Sequence, residues 1–287
     1  MLNIRNLRKA GMGIFLLALL VIAVGYFSHC SRVPEKKTSG GSPRFEIYPK
    51  EEIVPDRRIP EPRPSLPKVA IIIDDMGYDS FTAEKFLNFD AVITFSIFPH
   101  SPSGKTIAGK ARAKGWDIML HLPMEPVEYP AVDPGPGAIL AAMTPEQLVL
   151  RLESNLDSLP FIKGVNNHMG SKVTTIPHQM YKILSVLKKR RLFFIDSLTT
   201  VDSLCRSSAR LLQIPFAQRD VFLDHIQDAD VIRRQIVRLM RIADDYGEAI
   251  GIGHPYEVTY HVLQKMLPEL KKRVRLVPAS EVVHTIG

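Results

Sequence analysis

Between residues 69 and 277 the chain repeats one cycle, a short apolar run followed by an amphipathic stretch, and this cycle constrains the fold more than any other feature. The run VAIII at 69–73 is too short for a helix and rich in β-branched side chains, which is the pattern of a strand. It shows no polar alternation, as expected of a parallel strand covered on both faces. Further strands are expected at 91–97, 116–120, 163–166, 192–195, 221–223, 249–252 and 274–277. Helices are expected between them at 80–88, 104–114, 144–158, 177–190, 202–212, 228–246 and 256–267, with a short helix beginning near Pro278. One of them opens with Thr144-Pro145-Glu146-Gln147, a capping box with proline at the first helical position. Seven or eight β/α units in 220 residues imply an α/β fold with a parallel sheet, and the count suits a (β/α) barrel of seven or eight parallel strands. No G-x-G-x-x-G loop follows the first strand, which argues against a dinucleotide fold.

Acids and histidines recur just after the expected strands: Asp74-Asp75, His121 with Glu125, Asn166-Asn167-His168, Asp196-Ser197, Asp224-His225 and His254. In a parallel barrel those strand ends meet on one face, where active sites lie. This set suits metal-assisted hydrolysis. One carboxylate and two imidazoles can hold a divalent ion with positions left open, a second carboxylate can accept a proton, and a further histidine can protonate a leaving group. Each residue has a plainer alternative. Asp74-Asp75 could form a turn or cap a helix, His121 could be a turn histidine, and Asp196 could cap the next segment. Asp224-His225, ahead of the longest helix, reads as structural, and His178, His261 and His284 read as surface residues on helices. Asn-Asn-His at 166–168 is poor strand and poor helix, and so is harder to dismiss.

The N-terminal part reads as an address. Arg5, Arg8 and Lys9 precede an uncharged apolar run at 11–27, which reaches the lower length limit for spanning a bilayer. The basic flank predicts a cytoplasmic N-terminus with the rest of the chain outside the cytoplasm. Residues 1–30 are therefore read as a signal-anchor or a cleaved signal peptide; a lipoprotein reading is disfavoured because His29 precedes Cys30. Residues 31–67 hold eight of the 22 prolines and read as a disordered linker to a body at 68–287. The net charge of +7 is concentrated before residue 68, with 11 basic against 6 acidic residues there and 26 against 24 in the body. A nucleic-acid surface therefore loses its main support. Cys30 and Cys205 are too few for a disulfide framework.

Six segments together resemble the divergent polysaccharide deacetylase family, a distant branch of the NodB-type carbohydrate esterases. They are 71–77, 95–99, 121–126, 167–171, 196–197 and 253–255, so the resemblance runs from about 69 to 283. It implies a NodB-like deacetylase barrel, one divalent metal ion with zinc as the expected identity, and an acetylated glycan as substrate. It further implies Asp74 as general base, Asp75 and His121 as metal ligands, and His254 as the late catalytic histidine. The family's His-x-x-x-His is here His121-x-x-x-Glu125, so either Glu125 or His168 supplies the third ligand. Asp196 is a further candidate. The family's Arg-x-Pro-Tyr segment is absent, and 166–171 stands in its place.

Two kinds of function follow. One is a metal-dependent hydrolase that deacetylates a cell-envelope polysaccharide, or cleaves a related amide. The other is a catalytically silent glycan-binding or scaffold protein that keeps the barrel. The membrane is an expected partner through the N-terminal segment, and nucleic acid is not.

Overall fold

The computed structural model describes residues 65–286. Ten strands and seven α-helices follow one another. In chain order they begin with β1 (Lys68–Met76), α1 (Ser80–Leu87), β2 (Thr94–Ile97), α2 (Gly104–Ala113), β3 (Ile118–Met124) and α3 (Pro145–Asp157). Then come β4 (Gly164–Met169), α4 (Pro177–Arg190), β5 (Phe193–Asp196), α5 (Cys205–Leu212), β6 (Pro215–Gln218) and β7 (Val221–Phe222). The last are α6 (Ala229–Tyr246), β8 (Glu248–Gly253), α7 (Glu257–Arg273), β9 (Arg275–Leu276) and β10 (His284–Thr285). The expected anchor and almost all of the expected linker lie outside the described residues. Among the described residues no helix is long and apolar enough to cross a membrane.

All strands belong to one sheet, in the order β10-β6-β5-β4-β3-β2-β1-β8-β7, with β9 beside the start of β1. Every pairing is parallel except that of β10 with β6. The expected barrel of parallel strands is an open half-barrel. Two strands, β6 and β10, were not expected. The reason for the opening is local: only Arg219 and Asp220 separate β6 from β7, whereas parallel neighbours need a crossover of a dozen or more residues. β6 and β7 therefore do not pair, and the sheet ends at β10, on the outer edge of β6, and at β7. His284, expected on a helix, lies in β10, where its ring contacts Glu248 Oε1 at 2.7 Å.

Strand alternation sorts the core into two clusters. On β1, Val69, Ile71 and Ile73 face the helix layer, while Ala70 and Ile72 belong to an inner cluster with Met119, Phe193, Ile195, Phe222, Ile250 and Ile252. The inner cluster is completed from below by Val277, Ala279 and Val282 of the C-terminal segment. That segment is fastened by Ala279 N–H donating to Thr94 Oγ1 at 3.0 Å and Ser280 N–H donating to Asp117 Oδ2 at 2.8 Å. The lumen is consequently apolar at the end where strands begin. Two residues further along each strand, the same inward face turns polar, and this places the site.

Two local features carry tests. Asp79 caps α1, its Oδ1 accepting from Phe81 and Thr82 backbone N–H at 2.9 and 3.0 Å. Asp79→Ala is expected to cost about 1 kcal/mol of stability, read as a lowered urea midpoint with unchanged slope. Gly164 opens β4 beneath the Phe193 ring, and a Cβ there would lie 2.2 Å from Phe193 Cε2. Both residues are buried in a close-packed region, so Gly164→Ala is expected to destabilise by about 1–3 kcal/mol in the same assay.

Candidate metal centre and active site

The inward positions next along the strands are Asp74 after Ile72, His121 after Met119, Ser197 after Ile195, Asp224 after Phe222, and His254 after Ile252. Asn166 and His168 are the corresponding pair on β4, in register with His121 and Pro123 of β3. Asp74, His121 and His168 thus sit within their strands, whereas the sequence suggested positions just beyond them. The Asn-Asn-His run that looked unsuited to a strand is the second half of β4, stabilised by pairing to β3 along its whole length.

Asp75 has the wrong parity for this face, and the backbone corrects it. Its φ is 54°, in the left-handed region, and the register of β1 on β2 shifts between Ile73 and Met76. Such a bulge re-aims one side chain. As a result both neighbouring carboxylates reach the same imidazole: Asp75 Oδ1 lies 3.1 Å from His121 Nε2, and Asp74 Oδ2 lies 3.8 Å from His121 Nδ1.

Asp75, His121 and His168 form a triangle. Its edges are 3.1 Å from Asp75 Oδ1 to His121 Nε2, 3.2 Å from His121 Nε2 to His168 Nδ1, and 3.3 Å from His168 Nδ1 to Asp75 Oδ1. Metal bonds of about 2.0–2.2 Å at tetrahedral or octahedral angles put ligand atoms roughly 3–3.5 Å apart, so the triangle has the size of one coordination face. Asp75 Oδ1 is buried, with one nitrogen of each imidazole as its neighbour. One carboxylate oxygen and two imidazole nitrogens make a donor set suited to a divalent transition metal. These three residues can therefore hold a metal ion.

Burial alone would raise the Asp75 pKa. The nearby charge of His168 and the polar contacts of His121 and His168 outweigh it and hold the carboxyl well below its usual range. The group is ionised, as a ligand must be. Phe98 packs against both imidazoles, with ring centroids 5.0 Å from His121 and 4.9 Å from His168, and restricts their rotation.

His254 enters from the β8 side of β1, whereas β3 and β4 bring His121 and His168 from the other side. It is close enough to Asp75 to influence that carboxylate's ionisation. Its Nδ1 donates to Asp224 Oδ1 at 2.8 Å, and its backbone N–H donates to Asp224 Oδ2 at 2.6 Å. Thr259 Oγ1 also donates to Asp224 Oδ2, at 2.7 Å. Asp224 therefore fixes the ring orientation and leaves Nε2 as the nitrogen that exchanges a proton. Tyr256 lies beside that ring, its phenol pushed up to about 12 by burial, so it remains a neutral donor at neutral pH.

Two candidates lie apart from the triangle. Glu125 Oε2 accepts from Ala141 N–H at 2.7 Å, and its Oε1 is paired with Lys172 Nζ. Its carboxylate fastens the segment 126–143, and the third corner of the triangle belongs to His168. Asp196 Oδ1 accepts from Leu198 N–H at 2.8 Å, and Oδ2 accepts from Ser203 Oγ at 2.6 Å. Burial raises its pKa against these contacts and the charge of Arg219. Asp196 shapes the turn after β5. Sequence reasoning missed Asn166 and took Asp224 as structural. The inward parity of both positions was the signal that could have found them.

Fold and cluster together define an α/β half-barrel that gathers a carboxylate and two imidazoles able to hold one metal ion at the carboxyl ends of its parallel strands. The sequence model of the divergent polysaccharide deacetylase family matches residues 71–283, and the chain belongs to that family. It is 32% identical over 217 residues to the uncharacterized protein YibQ of Escherichia coli, covering 76% of this chain and 67% of that one. It is also 32% identical over 210 residues to an uncharacterized protein of Haemophilus influenzae, covering 73% and 74%. A crystal structure of the uncharacterized protein ATU2773 from Agrobacterium tumefaciens is similar in three dimensions. Its TM-score is 0.73 at 26% identity, over 78% of this chain and 92% of that one.

Proposed function

We propose that the protein is a metal-dependent hydrolase that removes acetyl groups from an acetylated polysaccharide of the cell envelope, with zinc as the resident ion. The observation that carries this reading is the Asp75–His121–His168 triangle, with the carboxylate of Asp74 on one side and the Asp224–His254 pair on the other. Family membership supports the glycan as substrate.

Asp75, His121 and His168 would hold the divalent ion, which when bound would supply a Lewis acid to polarise the acetyl carbonyl and to acidify the attacking water. Asp74 accepts the proton of the attacking water. His254 Nε2 donates a proton to the departing amine or hydroxyl, and Asp224 stabilises the imidazolium through Nδ1–H. Tyr256, a neutral phenol, packs beside the His254 ring. The products are acetate and the free sugar amine or hydroxyl. Attachment through residues 1–30, with the body outside the cytoplasm, would let such a site reach envelope glycan.

The test is acetate release by the purified, metal-loaded chain from N-acetylated chitooligosaccharides, peptidoglycan fragments and O-acetylated xylan. Release from at least one, lost on chelation and restored by zinc, cobalt or nickel, is the expected result. Full metal occupancy with no release from any acetylated substrate overturns the reading in favour of a silent glycan-binding protein.

A further inference from the structure

We infer that Asn166 is the positioning residue of this site, its one amide fixing both the metal-facing nitrogen of His121 and the direction of the Asp74 carboxylate. The Asp74 half rests on the hydrolase reading; the His121 half rests on the three-residue cluster alone. Asn166 is fully buried on β4, opposite His121 on β3. Its Oδ1 accepts from Ser96 Oγ and from His121 Nδ1, the latter at 2.9 Å. Its Nδ2 donates toward both oxygens of Asp74, each at 2.9 Å, and toward Ser197 Oγ at 3.3 Å. The amide thus uses both lone pairs and both N–H groups inside the protein.

The amide has one permitted orientation. Flipped, it would set Oδ1 against the two Asp74 oxygens, acceptor facing acceptor in a buried place. With Oδ1 held toward His121, Nδ1 carries a proton, and the lone pair of the neutral ring is therefore on Nε2. Nε2 is the atom at the corner of the triangle, 3.1 Å from Asp75 Oδ1 and 3.2 Å from His168 Nδ1. A metal ligand needs this tautomer, and an acceptor on the other ring nitrogen is the usual way of securing it. The opposite end of the same amide holds the proton-accepting carboxylate from a neighbouring direction. Ion binding and base placement are therefore joined through a single neutral side chain.

The two halves are separable by substitution. Asn166→Asp keeps an acceptor for Ser96 and His121 but sets a second carboxylate against Asp74. Asn166→Ala removes both functions, and Asn166→Ser, which fits the space but cannot span both partners, stands in if the alanine variant is unfolded. Metal affinity of the metal-stripped full-length chain, measured by competition with a chromophoric chelator, reads the His121 half without reference to activity. The cobalt absorption spectrum is a second such signature. The Ala or Ser variant is expected to bind zinc about 10–100-fold more weakly, and the Asp variant at least as tightly as the original. For acetate release, all variants are expected to lose about 10²-fold or more in kcat, with KM little changed, because the base is misdirected. Undiminished affinity in the Ala or Ser variant, or equal loss in the Asp variant, overturns the His121 half. An Asp variant with undiminished kcat overturns the Asp74 half. An original chain that binds metal but releases no acetate removes the hydrolase reading, and the Asp74 half with it, while the affinity series still decides the other.

Discussion

Replacing Asp74 by Asn is expected to lower the rate of acetate release by about 10²–10⁴-fold while the metal content stays that of the original chain. The side chain is fully buried, and both its oxygens lie 2.9 Å from Asn166 Nδ2. An amide of the same shape keeps one acceptor for that contact, sets its own NH2 beside Asn166 Nδ2, and cannot take a proton. Asp74 is also not a corner of the triangle: its Oδ2 lies 3.8 Å from His121 Nδ1, the nitrogen that faces away from the triangle. Rate and occupancy should therefore part company. Steady-state kinetics alongside metal analysis of the same preparation makes the comparison, and a variant that keeps most of its rate excludes Asp74 from proton transfer.

Replacing His168 by Ala is expected to weaken zinc binding by on the order of 10²–10³-fold, one ligand's share of a binding free energy of about 10–16 kcal/mol. Activity at limiting zinc should fall with it and recover partly as zinc is raised. Glu125→Ala should leave the affinity nearly unchanged, because that carboxylate is occupied by Ala141 N–H and Lys172 Nζ. Its effect should appear as faster hydrogen exchange in the segment 126–143, which it fastens. A chain whose affinity responds to Glu125 and not to His168 would reverse the assignment of the third corner. The pair of variants thus decides between two ligands that sequence alone left open.

The parallel sheet and its helices were legible because burial on both faces leaves uninterrupted β-branched runs such as 69–73, and because capping at Thr144 and the stop at Gly247 mark helix ends. The opening of the sheet was less legible. It depends on a two-residue link after β6, a strand whose sequence Pro-Phe-Ala-Gln carries almost no apolar signal. In α7 the helix continues past Pro268 to Arg273, although the sequence suggested an end before that proline. At the site, histidines and paired acids drew attention because they titrate. Asn166 does not titrate, and its importance arises from three partners on other strands and Ser197 just after β5, which no local pattern records. Asp224 was legible in position but not in purpose, since its partner His254 follows the end of β8, 30 residues away. Glu125 shows the opposite error. Four residues after His121 it has the spacing of a second ligand, but the bridge of Met124 to Ile139 draws the chain toward the segment it fastens.

The bulge at Asp75 limits how this chemistry could be transplanted. Side chains along a regular strand leave on alternate sides, so two adjacent acids copied onto an ordinary strand would send one into the lumen and the other among the helices. Here the single left-handed residue at φ 54° and the slipped register make a two-pronged fork from neighbours that would otherwise diverge. The functional unit is therefore the backbone shape of the residues between Ile73 and Met76, and not the two letters Asp-Asp. A designer grafting the site would have to carry over the shape first. Adding or removing one residue beside the pair would exchange the prongs, directing the metal ligand outward and leaving the imidazoles facing an apolar strand.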